Sequence, residues 1–84
     1  MVRLLLENGA DVNIRHIQGF TALIMASAWG HTESVRLLLE YGADINVQED
    51  DGDTALITAL DRGHTEISRL LIAVSYTHLR AHET

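Results

Sequence analysis

The sequence predicts an all-α fold built from stacked helical units. Three observations carry this. A twelve-residue stretch, VRLLLENGADVN at 2–13, recurs as VRLLLEYGADIN at 35–46, and GHTESVRLLL at 30–39 recurs as GHTEISRLLI at 63–72. Both recurrences have the same offset of 33 residues, and a fixed period of this size marks a stacked repeat array. Apolar residues in each copy fall at i, i+3 and i+4, the spacing of one helix face. Single glycines follow each stripe, where a left-handed helix cap needs them.

Taken in order, Val2, Leu5 and Leu6 make the first stripe, so 1–8 is expected to be helical and Gly9 to end it. Residues 10–19 carry Asp11, Asn13 and Gly19 and are expected to form a loop or extended hairpin. Thr21 suits the N-cap of a short helix over 22–29, rich in Ala, Leu and Met, which Gly30 breaks. Thr32 and Glu33 open a second helix, where an acid complements the positive end of the helix dipole. Val35, Leu38 and Leu39 form its buried stripe and Gly42 caps it. Residues 44–53 repeat the loop. Thr54 then starts a helix over 55–62, Gly63 breaks it, and another helix begins near Thr65. The unit is loop, short helix, tight turn, longer helix.

These residues and this order resemble the ankyrin repeat family, whose 33-residue unit is a β-turn followed by two antiparallel helices. Gly19, Thr21, Leu23, Ala26, Gly30, His31, Val35, Leu38, Leu39, Gly42, Ala43, Asp44 and Asn46 match the family pattern. One period later, Gly52, Thr54, Leu56, Ala59, Gly63, His64 and Leu71 match again. The departures are local. Ala22 and Ala55 stand where the family favours proline, a pre-organised first helical residue. Ile24 and Ile57 replace the histidine of T-P-L-H, and His16 and Glu49 occupy the position of the loop aspartate. The resemblance implies an ankyrin solenoid fragment, its helix-turn-helix units joined by β-hairpin-like loops. It divides 1–72 into a partial unit 1–13, a unit 14–46 and a truncated unit 47–72.

Residues 74–84 leave the period. They are similar to a translation of the transposase adapter used in sequencing libraries, whose frame encodes Val74 to the start of Thr84 in order. The natural repeat is therefore expected to stop at Ile72, with 73–84 a non-native tail whose Leu79, Arg80, Ala81 and His82 suit helix by composition alone. The start within a second helix is expected to reflect a truncation or an internal start.

Composition narrows the functional classes. Eighty-four residues allow one small domain, marginal unless units share buried faces. Without cysteine there is no disulfide framework, thiolate metal site or thiol nucleophile, which fits a reducing intracellular setting. The net charge is −6 and every one of the six strong bases is arginine, which argues against nucleic acid as a partner. No apolar run approaches the ~20 residues that span a bilayer, and the acidic onset at Glu7 does not suit a signal peptide.

No catalytic pattern emerges. Ser27, Ser34 and Ser68 lie at helical positions without a nucleophile elbow, and the scattered glycines form no phosphate cradle. His78 and His82 have helical i, i+4 spacing but lack the Glu of H-E-x-x-H and lie in the tail. Glu49, Asp50, Asp51 and Asp53 do not follow the calcium-loop pattern and are expected to form a solvated acidic loop. No cofactor and no metal is implied. His31 and His64, one repeat apart, are expected to hold neighbouring loop backbone, as the family's histidine does there, and His16 to be exposed.

The resemblance implies a non-catalytic protein-binding module that engages partners on its concave side, through hairpin tips and exposed residues of the first helices. Carried over by position, those residues are Ile17, Gln18, Phe20, Ala28 and Trp29 in one unit, and Asp50, Asp51, Asp53, Asp61 and Arg62 in the next. Phe20 and Trp29 are two of only four aromatics, and aromatics beside an acidic rim suit an interface hot spot. The acids favour a partner with a basic segment. The uncapped ends suit self-association, and a spacer role within a longer array is the alternative reading.

Overall fold

The computed structural model describes residues 12–82, with side-chain surroundings as far as Ser75. Four helices follow a turn at Ile17–Gly19: α1 (Ala22–Trp29), α2 (Thr32–Glu40), α3 (Ala55–Asp61) and α4 (Thr65–His82). No strand occurs among the described residues. The expected helix over 1–8 and its cap at Gly9 lie outside them. The all-α repeat architecture is thus the observed one.

The helix boundaries follow from local chemistry. Thr21 Oγ1 accepts the N–H of Ile24 at 3.3 Å, and Thr54 Oγ1 accepts that of Ile57 at 3.3 Å. Each satisfies one of the orphan donors of a first helical turn. At the end of α2, the Ala43 N–H donates to Leu38 O and the Gly42 N–H to Leu39 O. This is the paired closing motif that a left-handed residue permits, and Gly42 has φ 86°. In α4 the positions one period after Tyr41 and Gly42 are Val74 and Ser75. With no glycine to turn the chain, α4 continues to His82. The helix expected over 55–62 ends one residue earlier, with Arg62 as its C-cap.

Two helical pairs stack. α1 packs on α2, α3 packs on α4, and the pairs meet through α1 against α3 and α2 against α4. Leu23, Ile24, Val35, Leu38, Ile67 and Leu71 are buried between them, and Ala26, Ala55 and Ala59 are the small buried residues of the two short helices. A large side chain buried this way contributes about 1.5–3 kcal/mol. The buried hydroxyls are also satisfied: Ser27 Oγ donates to Leu23 O at 2.7 Å and Ser68 Oγ to His64 O at 3.0 Å. Among the described residues no buried side-chain polar atom lacks a partner.

Candidate partner-binding face

The first hairpin tip is shaped by two successive left-handed residues, Gln18 (φ 60°, ψ 19°) and Gly19 (φ 78°). Their twist matches that of a tight hairpin turn. The His16 N–H donates to Phe20 O at 2.7 Å across the turn. Ile17 is thereby turned outward and is 84% exposed, and Gln18 is exposed beside it. Phe20 is half-buried and packs against the core, so only part of its ring is available.

The second tip repeats the backbone bonds with different side chains. The Glu49 N–H donates to Asp53 O at 3.0 Å and the Gly52 N–H to Glu49 O at 2.8 Å. Glu49 Oε1 in turn accepts the Asp53 N–H at 2.9 Å. Glu49 is buried, so the acidic loop is not solvated as a whole: this carboxylate folds in to hold its own turn, while Asp50 and Asp51 stay exposed and Asp53 is half-buried. The sequence signal was the placement of Glu49 at the family's loop aspartate. His16, at the same position one repeat earlier, is exposed as expected.

The ends of the first helices complete the face. Trp29, the last residue of α1, is 71% exposed. Ala28 is half-buried, and its carbonyl oxygen lies 3.1 Å from His64 Nε2 of the next unit. Asp61 and Arg62 occupy the corresponding end of α3 and are exposed. His31 is exposed and makes no side-chain cap of α2.

Several bonds fix one unit against the next. Arg15 Nη2 donates to Gln48 O at 2.7 Å, and the Asp50 N–H donates to Gln18 O at 2.8 Å. Asn13 Oδ1 accepts the Asp44 N–H at 2.8 Å. Arg36 bridges Glu33 at 3.1 Å and Glu66 at 3.4 Å on the second helices. Arg15 was not singled out in the sequence and Asn13 only as a turn residue, because their partners lie 33 and 31 residues away and no local pattern reports these bonds. The tip and helix-end positions are thus presented on a braced scaffold rather than on loose loops.

The two depressions described are separate from the candidate positions. One depression of about 570 Å³ is lined by Asn13, the 42–46 loop and Val74, and another lies around Gly30 and His64; neither is lined by any of the ten candidate residues. Among the described residues no group of three potential metal ligands occurs, and no helix is long and apolar enough to cross a membrane.

Stacked helix-turn-helix units bearing exposed tips define a repeat scaffold of the interaction class. The chain belongs to the ankyrin-repeat family: the model for "Ankyrin repeats (many copies)" matches residues 5–59, more than half of the chain, and that for "Ankyrin repeat" matches 51–79. It is also similar to "E3 ubiquitin-protein ligase XBAT33" of Arabidopsis thaliana, with 60% identity over 35 residues, covering 42% of this chain and 7% of that protein. The chain therefore spans only a small part of that relative's length. Ankyrin repeats are non-catalytic modules that generally serve protein–protein interaction.

Proposed function

We propose that this repeat segment binds a protein partner through the face formed by Ile17, Gln18, Phe20, Ala28 and Trp29 together with Asp50, Asp51, Asp53, Asp61 and Arg62. The observation that carries it is Trp29. A tryptophan left 71% exposed at the end of a helix, with exposed acids at matching positions of the next unit, has the make-up of an interface anchor. The mechanism is rigid presentation: the braced units hold the tips in place, so little ordering entropy is lost on binding. The acids Asp50, Asp51 and Asp61 favour a partner with a basic segment, through electrostatic complementarity.

The test is selection of a displayed random-peptide library on the whole chain. Selected peptides are expected to carry arginine or lysine and to lose about 2 kcal/mol of affinity for Trp29→Ala. A loss below about 0.5 kcal/mol, the size of an ordinary surface effect, sinks the proposal.

A second reading is an interior spacer of a longer array, or an association surface, and a specific observation favours it. Ile24 and Ser27 of α1 are almost fully buried under α3, whereas Ile57 and Leu60, one period later, are 45% and 59% exposed. The outer side of α3 is a stacking surface without a cover among the described residues. We hold the boundary after Ile72 as part of the same proposal, with 73–84 outside the repeat. An independently sequenced genome in which this tail continues an array would overturn that boundary.

A further inference from the structure

The exposed face changes character within a single repeat step. The 33-residue register pairs Ile17 with Asp50, Phe20 with Asp53 and Ala28 with Asp61, so three apolar positions become carboxylates. Gln18 pairs with Asp51, and Trp29 with Arg62. The first unit thus offers an apolar column headed by Ile17 and Trp29, both largely exposed. The second offers a column carrying three more acids than bases, counting four Asp and one Arg. The bonds from Arg15 to Gln48, from Asp50 to Gln18 and from His64 to Ala28 hold the two columns in register.

The spacing of the columns limits what can touch both. Packed helices lie about 8–10 Å apart, and α1 packs directly on α3. A polyproline-II-like extended chain has three residues per turn and rises about 3.1 Å per residue, which puts side chains i and i+3 on one side about 9 Å apart. A β-strand alternates its side chains and turns i and i+3 to opposite faces. A helix would meet the spacing with i and i+7, but it needs a groove to bury its apolar side, and none of these ten residues lines the depression beside Asn13 and Val74 or the one beside Gly30 and His64.

We propose that the partner is an extended, polyproline-II-like segment carrying one large apolar residue and one arginine or lysine three positions apart. The apolar side chain lies on the Ile17–Trp29 column and the cation on the Asp51–Asp61 column. This rests on the binding face proposed above and adds to it the partner's conformation and spacing. The apolar column supplies the anchor, and the acids select the cation and fix the register of the segment.

The experiment uses synthetic peptides of one composition with leucine and arginine separated by one, three, five or seven positions in a proline-rich background, and an alanine-rich helical peptide with the pair seven apart. Binding to the whole chain is read from the fluorescence of Trp29, the single tryptophan. The three-position extended peptide is expected to bind about tenfold more tightly than the other extended peptides, a difference of about 1.4 kcal/mol. The double variant Asp51→Asn and Asp61→Asn is expected to shrink that preference to under about threefold while leaving weak apolar binding and the helical spectrum intact, since the replaced carboxylates are exposed. Equal binding at every spacing, or tighter binding of the helical peptide, overturns this inference and leaves the face itself standing. If no peptide perturbs Trp29, both it and the face proposal fall.

Discussion

His64 reaches back across one repeat step to Ala28: its Nε2 lies 3.1 Å from the Ala28 carbonyl oxygen. A carbonyl can only accept, so Nε2 carries the hydrogen. The same ring stands over Gly30, where an added Cβ would meet Cε1 at 2.8 Å. One imidazole therefore ties the end of α1 to the start of α4.

Replacing His64 by Ala removes that bond and leaves a half-buried backbone oxygen without its partner. The expected cost is about 1 kcal/mol, which lowers the melting temperature by roughly 4–8 °C in a domain of this size. His31→Ala, at an exposed ring, is expected to change it far less. Thermal unfolding followed by circular dichroism checks both, and equal effects would contradict the assignment.

Gly30 and Gly63 separate backbone strain from packing. Both have left-handed φ, 79° and 75°, but a Cβ at Gly63 meets nothing within 4 Å. Gly63→Ala is expected to cost about 1 kcal/mol through conformation alone. Gly30→Ala adds displacement of the His64 ring and is expected to cost at least about 1 kcal/mol more, in the range of overpacking. In the His64→Ala background that excess should vanish, which a double-mutant cycle by urea unfolding measures.

Glu49→Ala removes the carboxylate that accepts the Asp53 N–H and is expected to cost about 1–2 kcal/mol, comparable to the loss of a helix cap. Asp51→Ala, an exposed neighbour of the same charge, should fall within about 0.5 kcal/mol of the parent. If the two substitutions act alike in chemical denaturation, the structural role of Glu49 is refuted.

The uncovered outer side of α3 is expected to make the chain weakly folded or self-associating. Sedimentation should show mass rising with concentration, and Leu60→Ser should reduce that rise without lowering the melting temperature, because Leu60 is 59% exposed. A sharp monomeric transition above ~60 °C, at the upper end for mesophile domains, would falsify this expectation.

Much of the architecture was legible in the residues. The N-caps Thr21 and Thr54, the stripe Val35, Leu38 and Leu39, and the closing glycines Gly30, Gly42 and Gly63 all depend on neighbours within five positions. Such signals lie inside one helix or turn, so the sequence displays them directly. The candidate face was legible only as positions. Residue type and charge do not distinguish Glu49 from Asp50 and Asp51, and only its place at the family's loop aspartate sets it apart, yet it is buried and the others are exposed. Nothing local marks Gln18 for a left-handed backbone either, a conformation ordinarily reserved for glycine or asparagine.

By itself, then, the sequence determined the 33-residue period, the helical units and their punctuation, because periodicity and capping are short-range properties. Only the tertiary structure decided which residues of each unit are free. Ile24 and Ile57 occupy the same place in the repeat, as do Ser27 and Leu60, but stacking buries the first of each pair and leaves the second open. Burial is a property of the neighbouring unit, not of the residue. For the same reason the bonds from Arg15, Asn13 and His64, which join residues 31 to 36 positions apart, come into view only once the units are stacked.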